Sequence, residues 1–256
     1  MSHRIKILAG LGGLALITLI IILATQSKVA TVTVVPVAQP TVTPNTTKSV
    51  SRKDLMLRLA DDDPYYGPEE APIIMVEFSD YLCPWCGKFY FETLPQILAA
   101  YPDQVRYVHR DYPVLGMDDK DAPLRAAVAA GCALAQGRFW EMHTELFEPY
   151  RNMEIEPHDA SSPPDPAKRE AMSLPYQAAA LRESAGKAGL NLTVYDACVA
   201  AQTPAQEVQH DLEDGMQLNI NSVPTYVING ILVEGSQTFA VFAQIIDKAL
   251  VEAPLR

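Results

Sequence analysis

A Cys-x-x-Cys pair, Cys83-Pro84-Trp85-Cys86, comes directly after the apolar run Ile73 to Phe78. That juxtaposition restricts the possible folds more than any other stretch. A short apolar run of this kind predicts a buried strand, and Pro84 suits the first turn of a helix, where its missing N–H is not needed. Cys83 then sits at a helix N-terminus. Unpaired backbone N–H groups and the positive end of the helix dipole favour an anion there, and a thiol so placed can have a pKa of about 3.5 to 7.5 instead of about 8.5. Cys86, one turn on, can reach back and close a disulfide. The spacing predicts a redox couple in which Cys83 is exposed and attacked and Cys86 is the more buried resolving partner.

Three other readings use the same residues. Structural zinc needs four N or S ligands, and the remaining cysteines, Cys132 and Cys198, each stand without a nearby second ligand. Covalent haem attachment needs His after the second Cys, where Gly87 stands instead. A purely structural disulfide spanning two residues at a helix start would staple little. Outside the cytoplasm, Cys132 and Cys198 are expected to pair with each other, with two free buried thiols as the alternative; a Cα separation beyond about 7 Å would exclude the bond.

Near-continuous apolar character from Ile73 to Ser79 suits a central strand covered on both faces. Glu77 breaks the pattern. A carboxylate in such a strand is costly unless it has a partner or a task. A role near Cys86 as proton acceptor therefore competes with the simpler reading that Glu77 faces solvent at the strand end.

The N-terminus reads as a membrane signal. His3, Arg4 and Lys6 precede the 18-residue uncharged stretch Ile7 to Ala24. It is longer than the usual apolar core of a cleaved signal and just long enough to cross a bilayer. An uncleaved anchor with its basic end in the cytoplasm is expected; cleavage near Ala24 is the alternative. Thr25 to Val50, with Pro36, Pro40 and Pro44, reads as an extended tether, and Arg52 to Ala60 as a short helix capped by Ser51 with Leu55, Met56 and Leu59 inward. The expected division is residues 1–25 as cytoplasmic tip and anchor, 26–60 as linker and short helix, and 61–256 as the folded domain. The chain carries a net charge of −11, and residues 1–25 contribute two positive charges, so the remainder carries −13. An acidic body argues against nucleic acid or anionic lipid as a partner.

Further on, Pro84 to Ala100 reads as a helix bent at Pro95, and Gln104 to Asp111 as a strand with Val105, Tyr107 and His109 alternating with polar neighbours. His109-Arg110-Asp111 mimics a kinase catalytic loop, but Gly116 stands where that loop requires Asn. Helices are expected over 122–136, 139–150, 175–188, 194–201 and 204–218, with a Pro-rich loop over 157–166. His143, His158 and His210 are scattered and read as core or surface residues. Val223-Pro224-Thr225 opens a hairpin turning at Asn229-Gly230, and Thr238 to Val251 closes the chain as a helix.

The order is thus strand with Cys-x-x-Cys, helix, strand, helical insertion, Pro-led hairpin, helix. Together with Val76-Glu77-Phe78-Ser79-Asp80-Tyr81-Leu82-Cys83-Pro84-Trp85-Cys86, Arg110-Asp111-Tyr112-Pro113, Gln136-Gly137-Arg138-Phe139-Trp140 and Val223-Pro224-Thr225, this order resembles the DsbA-like branch of the thioredoxin superfamily over about residues 61–250. The resemblance implies an α/β thioredoxin fold with a helical insertion at about 115–218. It makes Cys83 the nucleophile, Cys86 the resolving thiol, Glu77 the buried acid relaying protons to it, and Val223-Pro224 a cis peptide packed against the disulfide. Pro84, Trp85, Val223 and Thr225 would meet the client. DsbA itself has a His between its cysteines where this chain has Trp85, which removes one cationic stabiliser of the thiolate.

The implied activity is donation of the Cys83–Cys86 disulfide to reduced or unfolded client proteins outside the cytoplasm, by a monomer anchored in the plasma membrane by a single span. No cofactor or metal is implied. The implied reoxidant is a quinone-linked membrane enzyme of the DsbB or vitamin K epoxide reductase type. A reductase or isomerase using the same site, or a chaperone-like binding domain without turnover, are the alternatives. A Cys83 pKa near 4 would stabilise the reduced form at pH 7 by about 4 kcal/mol and raise the potential by roughly 90 mV, against about 0.4 kcal/mol for a pKa near 7. The oxidising case is expected, from the extracytoplasmic address and the motifs. Titration of Cys83 in the reduced chain is expected to give a value below about 7, and a higher one removes the argument.

Overall fold

The run Ile73–Ser79 forms a strand that is buried at every position, as its apolar character requires. The computed structural model describes residues 55–56, 58–60, 63–115, 121–155 and 166–252. The chain divides into two units, 1–47 and 48–256, and the described residues all belong to the second. The expected membrane span 7–24, the tether 25–50, the first residues 52–54 of the expected short helix and the loop containing His158 lie outside the described residues. No helix among the described residues is long and apolar enough to cross a membrane.

In chain order the elements are β1 (Tyr65–Tyr66), β2 (Ile73–Ser79), α1 (Pro84–Lys88), α2 (Leu94–Ala100), β3 (Val105–Asp111), α3 (Ala122–Leu134), α4 (Phe139–Phe147), α5 (Pro166–Ser173), α6 (Ala178–Lys187), α7 (Leu192–Ala201), α8 (Ala205–Gln217), β4 (Thr225–Ile228), β5 (Ile231–Glu234) and α9 (Phe239–Glu252). The described strands form a five-stranded sheet ordered β1-β3-β2-β4-β5. β2 and β3 are parallel, with Glu77 opposite His109 and Ser79 opposite Asp111. The other pairings are antiparallel. This is the α/β architecture with helical insertion that the resemblance implies. The Asn229-Gly230 turn is also as expected: both residues take positive φ, which suits a two-residue hairpin.

One sheet face packs Ile73, Met75 and Tyr107 against Phe89, Ile97, Phe242 and Ile246 from the α1–α2 and α9 layer. The opposite face packs Ile74, Val76, Phe78 and Val108 against Met56, Leu59, Tyr112 and Ile220. Met56 and Leu59 are therefore core residues, so the folded unit reaches back past the boundary expected at residue 61. Sequence pattern also misses β1, which at two residues is too short to show a period.

Two further departures have clear causes. β3 does not alternate between buried and exposed, since Arg106 and Arg110 are buried with the rest. Arg106 Nη2 donates to Ala60 O at 2.8 Å, and Arg110 lies among Asp63, Asp211 and Asp214 at 2.5 to 3.1 Å. A buried guanidinium is tolerated only with such partners. The helix from Pro84 is distorted just ahead of Pro95, as a π turn over Phe89–Thr93. Pro95 has no N–H for the regular ladder, and Leu94 N–H bonds Phe89 O, five residues back.

The insertion has its own core, which includes Tyr81, Cys83, Cys86, Phe147 and Tyr176. A disulfide joins Cys132 of α3 to Cys198 of α7, with Cα atoms 5.9 Å apart and a separation of 66 positions in sequence. The expected pairing is thus present. Closing a loop of that length removes on the order of 4 kcal/mol of unfolded-chain entropy. The double variant Cys132→Ala/Cys198→Ala is expected to lose about 2–4 kcal/mol and several degrees of Tm, read by calorimetry under oxidising conditions. An unchanged Tm would show that the bond adds nothing to the packing of α3 on α7.

Candidate active site

The site forms where β2 ends. Asp80 Oδ1 accepts Leu82 N–H at 2.8 Å, and its Oδ2 accepts Val114 and Leu115 N–H at 2.8 and 2.7 Å. One buried carboxylate thereby joins the loop before α1 to the loop after β3. Burial pushes Asp80 up to about 6 in spite of the three N–H groups. Sequence reasoning assigned it no role. The available signal was an Asp two residues before a peptide N–H at a helix entry, a common turn chemistry.

Cys83 caps α1 in extended conformation (φ −90°, ψ 110°). Its Sγ accepts Cys86 N–H at 3.3 Å and donates to Val223 O at 3.6 Å. Both site cysteines are free thiols. Cys86 is fully buried, as expected, but Cys83 is only 3% exposed. The expectation of an open nucleophile is corrected: Cys83 belongs to the insertion core, and the Val223-Pro224 loop covers it. Burial, then Cys83, then Glu77 hold the Cys86 thiol well above its ordinary range.

α1 can approach the insertion this closely because residue 87 has no side chain. A Cβ on Gly87 would lie 2.9 Å from Tyr150 Cβ. Tyr176 reinforces the contact, its hydroxyl donating to Tyr81 O at 2.6 Å with Leu146 O as a second acceptor at 3.0 Å.

Val223-Pro224 is cis, as the resemblance implied. Pro84, Trp85 and Val223 are half-buried around the thiols and remain partly open to solvent. Thr225 does not: it is fully buried, and its Oγ1 donates to Ser222 O at 2.7 Å, so it shapes the loop instead of meeting a client.

Glu77 lies on the central strand, 2% exposed, which rules out the solvent-facing reading. Tyr107 OH donates to its Oε2, while Oε1 has no hydrogen-bond partner among the described residues. Burial pushes Glu77 up to about 7, opposed by His109 and Tyr107; Ser79 also favours the charged form without meeting hydrogen-bond geometry. Beside it lies a polar group that sequence reasoning left unassigned. His109 Nε2 is 3.2 Å from Asp111 Oδ1, and Tyr81 OH is 2.9 Å from Nδ1 of the buried His143. The register of a parallel strand pair, invisible in sequence, brings them together.

Asp63, Glu207 and Asp211 place carboxylate oxygens within 4.8 Å of one another. Asp63 and Asp211 flank the Arg110 guanidinium, whose charge accounts for the grouping.

A dithiol at the head of the helix after the central strand, with a cis-proline loop against it, defines a thioredoxin-like α/β domain, here carrying the helical insertion of the DsbA type. The chain belongs to the thioredoxin family: the family model described as Thioredoxin matches residues 59–248. It is similar to the Na(+)/H(+) antiporter NhaA 3 of Salinispora tropica, 28% identical over 204 residues, which cover 79% of this chain and 27% of that protein. The chain thus spans about a quarter of the length of that relative. It is 25% identical over 189 residues to Disulfide bond formation protein D of Bacillus subtilis, covering 73% of this chain and 77% of that one. The crystal structure of oxidised BdbD from Bacillus subtilis is similar with a TM-score of 0.60 and 21% identity, over 76% of this chain and 95% of that one.

Glu77 makes stability depend on pH. Its value rises from 4.5 to about 7 on folding. Well below pH 4.5 both states hold the proton and there is no penalty. As pH rises toward about 7 the unfolded chain ionises first, and stability falls by on the order of 3 kcal/mol. Glu77→Gln is therefore expected to be more stable than the parent at pH 8 relative to their difference at pH 4, measured by denaturant unfolding. A difference that is equal at both pH values would contradict the buried-acid assignment.

Proposed function

We propose that this chain is a DsbA-like thiol-disulfide oxidoreductase that donates a Cys83–Cys86 disulfide to reduced client proteins. The observation that carries the proposal is the placement of two free thiols at the head of α1, the outer one against Val223 O and the inner one beside a buried, readily protonated carboxyl.

The cycle begins with the oxidised pair. A client thiolate attacks Cys83 Sγ, the Cys83–Cys86 bond breaks, and Cys86 leaves. Because its surroundings hold the Cys86 thiol well above its ordinary range, it departs best by taking a proton, which Glu77 supplies. The client's second thiolate then attacks the client sulfur of the mixed disulfide and expels Cys83. The client loses two electrons and the enzyme gains them. The Val223 backbone and the half-buried Trp85 and Pro84 offer the client a strand edge and an apolar rim.

Reoxidation is assigned to a quinone-linked membrane partner of the DsbB or vitamin K epoxide reductase type, and the working unit to a monomer. The site is assigned to the outer side of the plasma membrane, tethered by the span Ile7 to Ala24. The basic flank of that span supports the address, as does the Cys132–Cys198 bond, since such bonds persist in oxidising compartments.

Equilibration of the Cys83/Cys86 couple with glutathione tests the direction of transfer. A potential well above the −270 mV or so of thioredoxin, toward the roughly −120 mV of DsbA, is expected. A potential near that of thioredoxin would instead make the chain a reductase. Retention of full client-oxidising activity by Cys83→Ala would overturn the enzymatic reading altogether.

A further inference from the structure

Glu77 is enclosed, and a proton it gives to Cys86 must be replaced from outside. Its neighbours define where. Glu77 and His109 are register partners on the parallel strands β2 and β3, so their side chains share a face of the sheet. Asp111, two residues on, lies on the same face and bonds His109 Nε2 at 3.2 Å. The three residues step from a fully buried position to the strand end. The His109 side chain is 1% exposed and that of Asp111 13%.

The hydrogen bonding gives this row a direction. A carboxylate can only accept, so Asp111 holds the ring proton of neutral His109 on Nε2. Nδ1 is then left as an acceptor, and it has no hydrogen-bond partner among the described residues. Glu77 Oε1, on the facing residue, has none either. The row thus holds two buried, unpartnered polar atoms on adjacent strands, an arrangement that packing alone would avoid.

We propose that His109 and Asp111 are the outer leg of a proton path whose inner leg is Glu77, linking Cys86 to solvent. The inference rests on the reading of Glu77 given above. In reoxidation, Cys83 Sγ attacks the disulfide of a disulfide-bearing acceptor, one acceptor thiolate leaves and a mixed disulfide forms, so that the acceptor takes two electrons in all. The Cys86 thiol gives its proton to Glu77, and Cys86 Sγ attacks Cys83 Sγ of the mixed disulfide. The Cys83–Cys86 bond forms and the acceptor's thiolate is expelled. Glu77 passes the proton by way of a water to His109 Nδ1, and Nε2 releases one to Asp111 and solvent. In disulfide donation the same groups run in reverse: Asp111 reloads Nε2, and Nδ1 returns a proton to Glu77 and so to Cys86. The ring changes tautomer in one half-reaction and recovers it in the other, with no need to rotate.

Other ionisable groups face this row. Tyr107 of β3 bonds Glu77, Tyr81 packs on His109 at 5.5 Å between ring centroids, and His143 of α4 lies at 4.6 Å. The Asp111 carboxylate pushes Asp80 and Asp211 up by charge. His143 Nδ1 lies on Tyr81 OH, and its Nε2 has no hydrogen-bond partner among the described residues.

The test follows reduction of the oxidised full chain by a synthetic dithiol peptide from pH 5 to 9, with rates corrected for ionisation of the peptide. The parent is expected to show an inflection near pH 7, which Glu77→Gln abolishes. His109→Gln is expected to slow the reaction roughly tenfold at pH 7, below the effect of losing a direct proton donor. In the Glu77→Gln background, His109→Gln is expected to have no further effect, as for two members of one path. An equal slowing in both backgrounds would overturn the role of His109 while leaving Glu77 standing. An inflection that survives Glu77→Gln would instead overturn the reading beneath it. Should His109→Gln fail to fold, Asp111→Asn at the more open end carries the same comparison, with the same results expected and excluded.

Discussion

The attachment of the Asp80 carboxylate to three backbone N–H groups holds the site together. It turns the chain out of β2 at a set angle, starts α1 with Cys83 as its cap, and secures the loop after β3. A neutral hydrogen bond contributes about 1 kcal/mol net, and bonds to a charged group about twice that. Leaving three buried N–H groups unpaired would cost far more. The position of the Cys83 sulfur against Val223 O is therefore fixed by groups that take no part in the chemistry.

Around that anchor the domain buries an unusual amount of ionisable surface, and it treats the two sheet faces differently. On the face toward α8, the Arg110 guanidinium is shared by Asp63, Asp211 and Asp214, and the group docks the helix. On the face toward α1, Glu77 has a tyrosine hydroxyl and a histidine but no full-time cation. A carboxyl that burial pushes up to about 7 can exchange a proton at physiological pH. Buried carboxyls thus clamp a helix on one face and stand beside the dithiol on the other.

Much of the fold could be read from the amino-acid order because the signals are local. Ile73 to Ser79 is apolar for a full strand length, Asn229-Gly230 suits a tight hairpin, and Pro84 marks a helix start. The Cys-x-x-Cys pair is local in the same sense, and so is the odd carboxylate at position 77. Elements without a local signal were missed: β1 is too short to have a period, and Arg106 and Arg110 suggest an exposed strand face until their partners, distant in sequence, are in place.

Sequence alone determined that a dithiol begins a helix after a buried strand, that Glu77 lies close to it along the chain, and that a proline-led hairpin returns near the end. Each depends on neighbours within a few residues, where propensity and hydrogen-bond chemistry act directly. Only the tertiary structure decided that Cys83 is covered, that Thr225 is sealed inside, that Cys132 meets Cys198 across 66 residues, and that His109 faces Glu77. Those outcomes are set by strand register and by how the insertion packs on the sheet, which depend on contacts between residues far apart in the chain.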